Sequence, residues 1–187
     1  DQIVLERNND YWGEKAKVAK IVLKSIPEPS ARLMALQSGT VDIADDLDPD
    51  SIALVKKNAK LAVIERPSIN VGYLAFNTEK PRLKDPKVRQ ALTHAIDQGT
   101  LIKAIFAGLA IPAKNPFAPS IWGYNDKIVP YEYNPEKAKK MLADAKFDFN
   151  SEIELWAMPV SRVYMPDPVK TAELIQAYFA AVGVKAK

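Results

Sequence analysis

The chain has 187 residues, 48% hydrophobic and 26% charged, with a formal net charge of +3 at pH 7. That length holds one large domain or two small ones with an ample core, and its Lys and Arg residues alternate with acids instead of bunching as they do in nucleic-acid binders. The absence of cysteine excludes disulfides and thiolate catalysis, and no apolar run approaches the roughly 20 residues of a membrane span.

Ile3–Leu5 reads as a short strand running into the polar ERNND, followed by an aromatic turn at Tyr11, Trp12 and Gly13. Ile21–Ile26 predicts a second strand, stopped by Pro27 and Pro29. Ser30 is the expected cap of a helix through Leu36, which Gly39 ends. A strand over Val41–Ala44 is expected next. Asp48-Pro49 then opens a helix with Ile52, Leu54 and Val55 as its apolar residues. Leu61–Glu65 is expected as a further strand, and Val71–Phe76 as a buried one, because no charge falls before Asn77.

Thr78–Lys84 is polar and contains proline, so it reads as a connector. Asp85 caps the helix that follows, Pro86 fits its first turn, and Val88, Ala91, Leu92, Ala95 and Ile96 fall on one stripe. The passage from a buried strand through a polar connector into a strongly capped helix places a domain boundary at about residues 77–84. Asp97 caps the next helix, with Leu101, Ile102, Ile105 and Phe106 apolar and Gly108 ending it. Four prolines (112, 116, 119 and 130) preclude regular structure through most of Ile111–Tyr133, and a loop that long inside a compact domain is usually functional. Asn134-Pro135 opens a helix bearing Ala138, Met141, Leu142 and Ala145. Ile153–Met158 predicts a strand, and Asp167-Pro168 opens the last helix, with Ala172, Ile175 and Phe179 inward before Gly183. Val184–Lys187 begins another strand. Alternating strands and helices argue for an α/β chain.

Enzymatic signatures are scarce. No nucleophile elbow, phosphate loop or dinucleotide-binding glycine pattern occurs, and His94 is the sole histidine, so no metal site can be built on histidines. His94 falls beside the apolar stripe of its helix, the position of a partly exposed side chain. Within DIADDLDPD, Asp46, Asp48 and Asp50 match alternate ligands of a calcium loop. The required glycine is absent, though, and Lys57 stands at the twelfth position, so the run reads as a solvated acidic turn. A hydrolase using Asp42 or Asp45 lacks the buried surroundings that would separate two carboxyl pKa values. Trp122 and Tyr124 read either as aromatics that pin their own loop or as the wall of a ligand cleft. Arg162 follows the strand-like ELWAMP and precedes a helix. Ligands gather at that end of α/β strands, and a guanidinium fork matches a carboxylate with two parallel hydrogen bonds.

Several ordered segments carry a family resemblance: ERNNDYWG, ARLMALQSGTVDIA, YLAFNTEKP with DPKVRQALTHAID, IWGYND, YNPEKAKKML and LWAMPVSRVY. Together they resemble the bacterial extracellular solute-binding proteins of family 5, receptors of ABC importers, and within them the dipeptide-binding proteins. The resemblance implies that the chain is a fragment with a partial periplasmic-binding-protein type II-like fold and pieces of two mixed-sheet lobes. Residues 1–78 would belong to the first lobe, and 79–187 would begin the second. It implies capture of a small peptide, delivery to an inner-membrane permease, and a periplasmic location, or an extracellular lipid-anchored one in a Gram-positive source. No enzymatic step, cofactor, metal or nucleic acid is implied. By the same resemblance Arg162 binds the peptide's terminal carboxylate, and Tyr164 lines that pocket with Met158 of the same motif. The acidic residue that receives the peptide's amino group would lie beyond Lys187. Val163 and Met165-Pro166 are less polar than dipeptide receptors lead one to expect, which leaves haem, glutathione or a nickel complex as alternative cargo.

Overall fold

The structure, a computed structural model, describes residues 2–187. β1 (Gln2–Glu6) and β2 (Lys20–Lys24) form an antiparallel ribbon in which Val4 faces Val22. Helices α1 (Pro29–Gln37) and α2 (Pro49–Lys57) follow and pack on each other through Leu33 and Val55. The guanidinium of Arg32 ties this region together: it donates to the carbonyls of Ile26 and Pro27, at 2.7 and 2.8 Å, and to that of Asp46. α1 begins two residues earlier than expected, with Glu28 rather than Ser30 in the cap position, because Pro29 is preset for the first helical turn.

The main core is drawn from later elements: α3 (Pro81–Lys84), α4 (Pro86–His94), α6 (Pro135–Asp144), β3 (Glu152–Ile153) and α7 (Pro168–Ala181). Leu92, Leu142, Phe179 and Val184 are its most deeply buried large side chains. The α4 stripe, from Val88 through Ala95, faces Ala138 and Leu142 of α6, so the spacing of apolar residues in the sequence builds the interface directly. β4 (Lys185–Ala186) runs parallel to β3, and the Leu155 amide extends the ladder by donating to the Lys187 carbonyl at 2.7 Å. Leu74 and Phe76 lie at the rim of this core.

Caps account for the helix starts. Asp48, Asp85, Asp97, Asn134 and Asp167 each accept a backbone N–H from the first turn of the helix that follows. In α5 (Gln98–Phe106) the Asp97 carboxylate takes the Thr100 amide at 3.0 Å and the Thr100 hydroxyl at 2.7 Å. These bonds, the amide first, hold its carboxyl below the ordinary value of 3.8. A lowered carboxyl pKa contributes stability above the unfolded-state pKa, and that contribution is lost as pH falls through the folded one. Asp97→Ala is therefore expected to cost about 1 kcal/mol at pH 7. Thermal melts should show the gap from the parent protein closing below about pH 4.

Four expected features differ. The Val41–Ala44, Leu61–Glu65 and Val71–Phe76 runs are not strands, because none finds a ladder partner among the described residues. Tyr73, expected in a buried strand, is 79% exposed. The strand expected over Ile153–Met158 pairs only at its beginning for the same reason. The Thr78–Lys84 connector contains α3, whose Leu83 is buried. His94 is buried, not partly exposed. The loop before α6 returns over it, with His94 Nδ1 2.8 Å from the Glu132 carbonyl and the Tyr131 ring edge-on to the imidazole.

Candidate functional site

Beyond the β3–β4 ladder the chain runs irregularly to a two-residue turn whose flanks are Arg162 and Met165. Each flank's amide donates to the other's carbonyl, at 3.0 and 2.9 Å, which closes the turn just ahead of α7. Arg162 thus stands between β3 and α7, at the strand-to-helix passage that the sequence points to. Arg162 is exposed, and its guanidinium donates to its neighbour's carbonyl (Ser161, 3.2 Å) and carries no ion pair among the described residues. Tyr164 occupies the tip of the same turn, its hydroxyl 4.0 Å from Met158 Sδ. The fold therefore brings Tyr164 and Met158 side by side and carries Arg162, a cation with unused donors, on the same turn as Tyr164.

Trp122 and Tyr124 sit apart from them on the long loop. That loop folds back on itself: the Asn115 side chain donates to the Asn125 carbonyl at 3.1 Å, and the Lys114 ammonium bonds the Asp126 carbonyl while lying 5.8 Å from the Tyr124 ring centre. Tyr124 is accordingly half-buried, the aromatic that pins the loop, whereas Trp122 is 98% exposed. Of the two alternatives raised for this pair, the pinning of the loop fits Tyr124, while the Trp122 ring projects into solvent. Trp122→Ala is expected to leave stability within about 0.5 kcal/mol in a denaturant melt, because no packing is lost.

The two groups are joined by one segment. The Ser120 hydroxyl donates to the Ser68 carbonyl at 3.2 Å, and four residues further on Gly72 abuts the turn. A Cβ on Gly72 would stand 2.7 Å from the Tyr164 carbonyl oxygen and 3.6 Å from Met165 Cε. Four residues reach at most about 14 Å, so the aromatic loop and the Arg162 turn lean on the same short stretch. Sequence reasoning did not single out Gly72. The available signal was an isolated glycine inside an apolar run, a mark of close backbone approach.

The acidic turn holds no metal constellation: no cluster of three or more His, Cys, Asp or Glu is placed to bind an ion among the described residues. Asp48 is spent as a cap and Asp45 pairs with Arg66 at 3.6 Å. Among the described residues no helix is long and apolar enough to cross a membrane. Open grooves lie elsewhere, one of about 440 Å³ along α7 and β4.

The bacterial extracellular solute-binding proteins, family 5 Middle, match residues 1–187. The dipeptide-binding protein of Escherichia coli K12 is 43% identical over 177 residues, covering 95% of this chain and 33% of that protein. The heme-binding protein A of Haemophilus influenzae is 40% identical over 178 residues, covering 95% and 32%. The solved structure of the periplasmic binding protein DppA from Helicobacter pylori, in complex with the peptide STSA, superposes with a TM-score of 0.81 at 34% identity, covering 100% of this chain and 35% of that one. The chain spans about a third of the length of the curated relatives it matches, which makes its mixed helices and short sheets part of a periplasmic-binding-protein type II fold. This chain belongs to the bacterial extracellular solute-binding proteins of family 5.

Proposed function

We propose that the protein carrying this chain is the receptor of an ABC importer, capturing a small peptide between two lobes and passing the closed form to a membrane permease. Residues 1–78 contribute to one lobe and 79–187 to the other. In support, the main hydrophobic core is drawn from residues 83–184, with Leu74 and Phe76 at its rim. Hinge closure needs a ligand that gains contacts with both lobes. Arg162 supplies the second lobe's share by taking the peptide's carboxylate, with Tyr164 and Met158 lining the same pocket, and Trp122 and Tyr124 adding an aromatic contact from the long loop. The protein acts by binding, with no catalytic step, in the periplasm or at the cell surface.

The observation that carries this reading is the Arg162 guanidinium, held on a closed turn with its donors unpaired by any carboxylate of the described chain. Native mass spectrometry of the full receptor, purified without denaturation, tests the cargo: peptides with free C-termini are the expected co-purifying species. Haem in their place would favour the second reading, which the likeness to a heme-binding relative supports. In that case Arg162 would meet a propionate, an anion of the same geometry.

A further inference from the structure

Gly72 has a role that its own backbone does not demand. It is absent from the residues in the left-handed region, so flexibility is not what this position requires. Its requirement is space on one side. The atom that a methyl group would meet at 2.7 Å is the carbonyl oxygen of Tyr164, part of the main chain, and no rotamer change can move it away. Nor can the oxygen shift alone, because Tyr164 lies inside the turn closed by the two bonds between Arg162 and Met165. To restore an ordinary contact of 3.4 Å the two backbones must part by about 0.7 Å, and because Leu74 and Phe76 hold the 70–76 segment against the main core, the shift falls on the turn and carries Arg162 and Tyr164 with it.

We propose that Gly72 is a positioning residue for the ligand site: its missing side chain lets the 70–76 segment act as a flat stop against which the Arg162 turn is seated. The proposal rests on the carboxylate-binding reading of Arg162. Bidentate recognition tolerates little misplacement, and a shift of about 1 Å in a positioned group can cost on the order of 100-fold. The effect belongs to ligands that use the guanidinium fork and is absent for those that do not.

The test uses the full-length receptor and two probes, dialanine and dialanine amide, titrated calorimetrically into the parent protein, Gly72→Ala, Arg162→Lys and the double variant. Gly72→Ala is expected to weaken dialanine by about 10- to 100-fold and to leave the amide's affinity unchanged. In the Arg162→Lys background, where the fork is already gone, it should add little. Equal weakening of both probes, or an undiminished loss in the double variant, would show that Gly72 supports the fold in general and overturn the proposal. Unchanged dialanine affinity in Gly72→Ala, with a loss in Arg162→Lys, would overturn it while sparing the Arg162 reading. No loss in Arg162→Lys, or no dialanine binding by the parent, removes the carboxylate reading and the proposal with it. Should Gly72→Ala not fold, hydrogen exchange on the parent decides. A seated turn predicts slow exchange at the Arg162 and Met165 amides, and exchange at the rate of an isolated turn refutes it.

Discussion

Replacing Arg162 with alanine in the full receptor is expected to weaken binding of a free-carboxylate peptide by about 10- to 100-fold, since hydrogen bonds to a charged group contribute roughly 1.5–3 kcal/mol. The same substitution should leave the fold intact. The side chain is exposed, and its one hydrogen bond within the chain reaches only the preceding residue, so the stability change stays within about 0.5 kcal/mol. Calorimetry beside a denaturant melt separates the two. Lysine at the position retains the charge but not the planar fork, and should recover only part of the lost affinity. Undiminished affinity in the alanine variant would remove Arg162 from the site.

The opposite pattern is expected at Phe179. This ring on the inward face of α7 is 2% exposed and sits in the core shared with α4, α6 and β3. Phe179→Ala removes the buried surface and leaves a cavity that neighbouring helices close only partly, a loss of about 3–5 kcal/mol. Urea titration of the full receptor should show a lowered midpoint with an unchanged slope. In a core this small, a loss of that size is a large share of the usual 5–15 kcal/mol of domain stability. A shift below about 1 kcal/mol would mean that the core is far more forgiving than native interiors are.

These two residues also mark what was legible in the sequence. Phe179 was named because helix signals are local: five side-chain caps and the period of the apolar residues can be read within a dozen positions, and the structure uses them as written. Strands are another matter. The Val71–Phe76 run has the composition of a strand, yet a strand exists only where a second chain segment offers its backbone, and none among the described residues does. His94 was misjudged for the same reason, since its burial depends on Tyr131 and Glu132, some forty positions away, folding over it. At the site, Arg162 and Tyr164 stood out by residue type and motif. The empty side of Gly72 is a property of three-dimensional proximity, and a single sequence carries only a faint trace of it.

The His94 fastening separates the long loop from the packed helices. The long loop leaves α5 through two left-handed residues, Ala107 and Gly108, and is secured on its return where Glu132 and Asn134 bond to His94. Both anchor points lie at helix ends, while the middle of the loop contributes Ala118 to the buried interior and holds the rest of its shape with its own polar side chains. Substitutions around Trp122 therefore need not propagate into the packed helices. An imidazole used as a clasp leaves the span between its anchors open to changes of sequence at little thermodynamic expense.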